Sequence, residues 1–290
     1  MQPQVEVPEG VTYWKTVDGI NVLRVHYSAD PDTRVEGWLE KKLEGYPGGK
    51  EGAAWRKEME IDFSVFGGKK VYPEFSRKFH VANSSLLPLV IESIRKANTR
   101  VIVGWDNTGL SPAAVLTIIN TLGQWLIFKE FCGDDIEIVK FGNGLKGWCG
   151  QELPAKTEYR HIGDPAGKTR DSMKMSPAQY LNLKCGIQIE TGIQIFKVRR
   201  ESVAQALRET IMGEPKLLID PSCVELIAGF DGGYNFPEIG STGMYNTEPE
   251  KNMYSHIHDA LQYPATRLFT AGLDRAGRRE IKKKSSKGWT

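Results

Sequence analysis

The run Val101-Ile102-Val103-Gly104-Trp105-Asp106 constrains the fold more than any other segment, because an unbroken apolar stretch ends on a carboxylate. Such a run predicts a strand buried in the interior of a sheet. A carboxylate is costly to bury without a partner, so Asp106 belongs at the sheet rim, held there by the turn Asn107-Thr108-Gly109. An ordinary turn-forming aspartate would satisfy the same local pattern.

The flanking segments extend the sheet. Leu86–Lys96 predicts a short helix, and Ala113–Ile119 with Gln124–Glu130 alternates as a hairpin rather than a membrane span. Apolar Ile136, Val139 and Leu145 give Asp135–Gly150 a helical spacing, weakened by Gly142, Gly144 and Gly147. A strand then leads into Asp164, helices are expected from Ser176-Pro177 and near Ser202–Met212, and Lys216–Ile219 is a strand ending on Asp220. A last helix is expected from Thr247, with Glu250 completing a capping box, and it carries Asp259 on its inner side. This order fits an α/β fold of the ribonuclease H-like, RuvC/integrase type: a mixed sheet flanked by helices. Adjacent parallel strands place Asp106 and Asp164 at one end of that sheet.

Residues 1–60 read differently. Ile20–Tyr27 predicts a strand, and charged helices are expected near Thr33–Glu44 and Glu51–Glu60, but few residues there can form a core. We expect a linker or docking arm over 1–60, the folded domain over 61–272, and a basic flexible tail over 273–290. Between Arg275 and Lys287 that tail carries seven Lys/Arg against the single acid Glu280.

A formal net charge of only +2 rules out a uniformly basic nucleic-acid coat, so any attraction for phosphate must come from local clusters. The four cysteines lack a C-x-x-C pair, which argues against a thiolate zinc site and a disulfide scaffold, and the N-terminus shows no secretory signal pattern. A cytoplasmic protein that is not secreted is expected.

Asp106, Asp164 and Asp259 together supply what two divalent cations need, since Mg²⁺ and Mn²⁺ prefer oxygen ligands. Gly167-Lys168-Thr169 imitates the end of a phosphate loop, but Gly163 to Gly167 leaves one residue too few for an NTP site. Lys168 and Arg170 read instead as DNA-phosphate contacts, with Lys197, Arg199 and Arg200 as a second cluster. His256, one helical turn before Asp259, and Asp220, a fourth outer acid or a turn residue before Pro221, are secondary candidates. Zincin, serine-hydrolase and Cys/His nucleophile patterns are absent.

With these residues in place, the chain resembles the nuclease domain of a tailed-bacteriophage terminase large subunit over roughly residues 60–270. The resemblance rests on Gly104–Gly109, on Gly163-Asp164-Pro165-Ala166-Gly167, and on Tyr254-Ser255-His256-Ile257-His258-Asp259-Ala260-Leu261-Gln262-Tyr263; Gly232-Gly233-Tyr234 and the segment Gly67–Phe75 leading to His80 add to it. It implies metal-dependent cutting of double-stranded DNA concatemers during viral genome packaging, in the cytoplasm of the infected host. It also implies two Mg²⁺ or Mn²⁺ ions on Asp106, Asp164 and Asp259, with the portal and small terminase subunit as partners. The family's motor carries an ATPase with a phosphate loop, which this sequence lacks; the expectation is a fragment whose residues 1–60 are the end of such a motor, with a separately encoded nuclease as the alternative. A junction resolvase or integrase, and a non-catalytic DNA- or portal-docking module, are the competing expectations.

Overall fold

The apolar run becomes a central strand, and each neighbouring element is placed by how it covers that strand. The computed structural model describes residues 8–16, 19–46, 49–51, 53–61, 68–107, 109–165, 175–239 and 243–269. The chain forms two compact units, Met1–Gly68 and Lys69–Thr290.

In the first unit, β1 (Val11–Lys15) and β2 (Asn21–Val25) pair antiparallel, with Tyr13 opposite Leu23. The helix expected over Thr33–Glu44 is broken. A 3-10 turn spans Pro31–Arg34, and α1 (Trp38–Leu43) starts only after Gly37, whose φ of 81° suits a residue without Cβ. Next comes α2 (Ala53–Glu58). Aromatic residues supply a small core that the sequence did not suggest. Trp55 is fully buried, lies edge-on to Tyr27 and Tyr46, and donates its indole N–H to Glu60 at 2.9 Å.

The second unit begins with β3 (Lys69–Lys70), α3 (Arg77–His80) and α4 (Leu87–Ala97). The sheet strands β4 (Val101–Asp106), β5 (Ala113–Ile119) and β6 (Trp125–Cys132) follow, then α5 (Ile138–Glu152) and β7 (Tyr159–Gly163). After α6 (Pro177–Tyr180) come β8 (Ile189–Thr191), α7 (Phe196–Arg208), β9 (Thr210–Ile211), β10 (Glu214–Pro215) and β11 (Leu217–Ile219). The described chain ends through α8 (Val224–Ala228), β12 (Asn235–Phe236) and α9 (Met253–Phe269).

Six strands form one sheet in the order β11-β6-β5-β4-β7-β8. Within it only β5 runs against the others, since β4 and β6 pair antiparallel with β5 while β7, β8 and β11 join in parallel. Alternation along β4 divides the layers. Val101, Val103 and Trp105 face a core shared with Val90, Ile94 and Leu145 of α4 and α5. The opposite face is covered by Val203, Leu226, Ile257 and Leu261 from α7, α8 and α9, packed on Val115, Trp125 and Ile127. Both faces are therefore buried, as the continuous apolar run requires.

Three boundaries differ from expectation. The helix placed near Ser202 starts earlier, at Phe196, and ends at Arg208, because Met212 (φ 53°) and Gly213 (φ 87°) turn the chain into the β9–β10 hairpin. The last helix starts at Met253, not Thr247. Asn252 caps it by accepting the Tyr254 N–H at 3.0 Å, while the Glu250 N–H is bonded to the Asn235 carbonyl. Finally, α5 runs through its glycines. At Gly142 a Cβ would meet Leu181 Cδ2 at 2.6 Å, so close packing there requires the missing side chain. Among the described residues, no helix is long and apolar enough to cross a membrane.

Candidate active site

Asp106 ends β4 and is buried, with 5% of its side chain exposed. In the parallel pair β4–β7, Trp105 stands opposite Gly163, so Asp106 and Asp164 follow matched positions on neighbouring strands. The Asp164 N–H donates to the Trp105 carbonyl at 3.2 Å, which locks that register past the end of β7. Ile162 packs with Ile102 and Tyr263 on the α9 side of the sheet, and Asp164, two residues on, continues that side.

The third acid arrives with α9. Gly104 and Asp106 share one face of β4, and a Cβ at Gly104 would lie 2.0 Å from the Ala260 carbonyl oxygen and 2.8 Å from the Pro264 ring. The backbone of α9 thus rests directly on β4. Pro264 has no N–H, so it cannot bond the Ala260 carbonyl as the fourth residue along a helix normally does. One turn before Ala260, His256 reaches the strand end, where its Nδ1 lies 2.9 Å from Asp106 Oδ2. That hydrogen bond raises the His256 pKa above the ordinary imidazole value, against the opposing pull of burial.

Asp259 is buried between two cations. Arg199 Nη1 donates to its Oδ1 at 2.8 Å, and Lys251 Nζ donates to its Oδ2 at 2.7 Å. Only 9% of the Arg199 side chain is exposed, whereas Lys251 is 72% exposed. The Arg199 guanidinium also sits 4.9 Å from the Tyr263 ring centroid. Tyr263 reports on the whole cluster. Burial raises the pKa of its hydroxyl most, Arg199 opposes this, and the charges of Asp164, Asp259 and Asp106 each raise it further. All three acids therefore act on one phenol.

Hard oxygen donors from two strand ends and one helix suit Mg²⁺ or Mn²⁺, and the Lys251 ammonium on Asp259 Oδ2 stands where a cation is accepted. As they lie, however, no three His, Cys, Asp or Glu side chains among the described residues enclose a single ion. Arg199 and Lys251 hold the two oxygens of Asp259 instead.

Several expected site residues are placed elsewhere. Arg199 is buried on Asp259 and is no surface phosphate contact; Arg200 is held by Glu74 at 2.7 and 2.9 Å and by the Val71 carbonyl. Lys197 is exposed. Lys168, Arg170 and the basic tail lie outside the described residues. Asp220 directly follows β11, three strands from β4, and in register it stands level with Phe128 of β6 and the middle of β4, short of the strand end that carries Asp106. Its oxygens accept from Ser85 Oγ, Leu86 N and Ser222 N, so it ties the end of β11 to the start of α4. The pairing of Asp259 with Arg199 and Lys251 has no counterpart among the expectations from sequence. Arg199 lies on the buried stripe of α7 with Ser202, Val203 and Ala206, a helical spacing that marks it as inward-facing; nothing local marks Lys251.

A mixed α/β sheet covered on both faces, with acids gathered at one edge, is the class that fold and site define. Among solved structures the chain is similar to the nuclease domain of the P22 large terminase, with a TM-score of 0.50 and 12% sequence identity, over 70% of this chain and 94% of that one. At this identity the likeness is one of fold. The sequence matches no protein-family profile and no curated protein.

Proposed function

We propose that this chain is a metal-dependent endonuclease of ribonuclease H-like fold that cuts double-stranded DNA concatemers during viral genome packaging. One observation carries the reading: Asp106 and Asp164 stand side by side at the sheet edge, and α9 brings Asp259 over the same strand, in a chain that shares its fold with a terminase nuclease domain. Asp106 would serve both ions, with Asp164 and Asp259 each holding one. Two Mg²⁺ or Mn²⁺ ions held there would supply activation of a water and charge neutralisation at the leaving oxygen. Gly104 lets α9 seat against β4 and so sets Asp259 relative to Asp106; Arg199 fixes one Asp259 oxygen and leaves the other toward the outer side, where Lys251 reaches it. Exposed lysines such as Lys197 guide the DNA backbone without reading sequence. The setting is a packaging motor in the host cytoplasm, with the portal and small terminase subunit as partners.

Plasmid cleavage with Mg²⁺ or Mn²⁺ tests this. Asp106→Ala, Asp164→Ala and Asp259→Ala should each fall to background, and Asp106→Ala cutting as fast as the unaltered chain refutes the assignment. A strong preference for four-way junctions over linear duplex would move the reading to a resolvase. The Arg199 and Lys251 cations on Asp259 and the His256 ring on Asp106 favour a second reading, a non-catalytic docking module with structural acids. Calorimetry separates the two: a docking module shows no divalent-ion binding that Asp259→Asn removes.

A further inference from the structure

We infer that Lys251 is a built-in counter-ion of the candidate metal site, holding Asp259 Oδ2 until a divalent cation displaces it. The inference rests on the metal-site reading above and adds how that site is regulated. The two cations on Asp259 are not equivalent. Arg199 is enclosed, stacked over Tyr263 and bonded to Oδ1, so it has no route away. Lys251 reaches Oδ2 from solvent with 72% of its side chain exposed.

The backbone around Lys251 is pinned while its ammonium is free to swing. On one side the Glu250 N–H bonds the Asn235 carbonyl at 2.9 Å; on the other, Asn252 Nδ2 bonds the Gly233 carbonyl at 2.9 Å and Asn252 Oδ1 caps α9. Rotation about the four-carbon stem alone can lift the ammonium off Asp259, with no hydrogen bond of the α9 cap disturbed. A lysine ammonium is a compact, well-hydrated charge, which makes it easier to release to water than an arginine fork. With Lys251 in place, one oxygen of Asp259 is unavailable to metal and a positive charge faces any arriving cation. The apparent metal affinity is then reduced by the fraction of molecules in which Lys251 is engaged.

The experiment uses the full chain stripped of divalent ions. Calorimetric titration with Mg²⁺ should show about three- to tenfold tighter binding in Lys251→Gln, the reduction expected of a modest, partly exposed ion pair. Surface acetylation of the unaltered chain, read peptide by peptide, should modify Lys251 several-fold faster at saturating Mg²⁺, while exposed Lys197 keeps its rate. In Asp259→Asn, Lys251 should react at the fast rate without Mg²⁺. Mg²⁺ binding that changes neither the Lys251 acetylation rate nor the affinity on Lys251→Gln overturns the counter-ion. Absence of divalent binding in both the unaltered chain and Lys251→Gln removes the metal site itself, and the counter-ion with it.

Discussion

Gly104 and Ala260 touch so closely that a Cβ on the glycine would stand 2.0 Å from the Ala260 carbonyl oxygen. This contact sets how near Asp259 comes to the strand bearing Asp106. Gly104→Ala must push α9 off β4 or distort the strand, and overpacking of this kind costs about 3 kcal/mol. Urea unfolding should show that loss. Cleavage should fall further than the unfolded fraction explains, because Asp259 moves away from Asp106. An unchanged unfolding midpoint would mean that the helix does not rest on the strand.

One buried and one half-buried histidine make stability depend on pH. His258 is fully buried, stacked on Tyr234 with ring centroids 4.7 Å apart, and burial pulls its pKa down to about 3. Burial lowers His161 to about 4, and the Trp105 indole donates to its Nδ1, which leaves the proton on Nε2. In the unfolded chain both would titrate near the ordinary value of about 6.5. Between these values the unfolded chain binds protons that the folded one refuses. The stabilisation is therefore full above about pH 6.5 and is lost as pH falls toward 4, on the order of 2 kcal/mol per histidine by pH 5. Thermal melts from pH 7 to 5 should move steadily down, and the fall should be shallower in His258→Phe.

Much of this arrangement is legible because local pattern and tertiary role agree. The apolar run of β4, the hairpin of β5 and β6, and the acids at the strand ends follow from alternation and from the cost of burying carboxylates. What escapes notice depends on contacts distant in sequence. Thr247 and Glu250 satisfy a capping pattern, yet Asn252 caps α9 because Gly233 and Asn235 fix the chain just ahead of it. The Arg199–Lys197–Arg200 cluster looks like one basic patch, but helical rotation sends Arg199 inward to Asp259, 60 residues on, and Arg200 to Glu74. Gly104 inside a strand does signal close backbone approach, though not which backbone arrives.

Asp220 is a structural acid three strands away from β4. Burial opposes its charge, but donors from Ser222, Leu86 and Ser85 outweigh it and hold the carboxyl below its ordinary range. Because the folded pKa is depressed, this support is present above the usual carboxylate range and disappears as pH falls through the folded value. Asp220→Ala leaves the Leu86 and Ser222 N–H groups without a partner and should cost about 3 kcal/mol by urea unfolding. Per folded molecule, cleavage should be unchanged. A fall in cleavage out of proportion to the stability loss would return Asp220 to the catalytic set.

The cluster at Lys197–Arg200 allows a direct test of DNA contact. Arg200 spends its guanidinium on Glu74 and the Val71 carbonyl, so Arg200→Gln should lower stability by about 2 kcal/mol while the salt dependence of DNA binding holds. Lys197 is exposed on the first turn of the same helix. If its ammonium meets a phosphate, Lys197→Gln should leave the melting temperature unchanged and reduce the slope of log affinity against log salt by about 1. Fluorescence anisotropy on a duplex at several salt concentrations reads both variants. The opposite pattern, with Arg200→Gln changing the slope and Lys197→Gln not, would mean that the Glu74 ion pair opens when DNA binds.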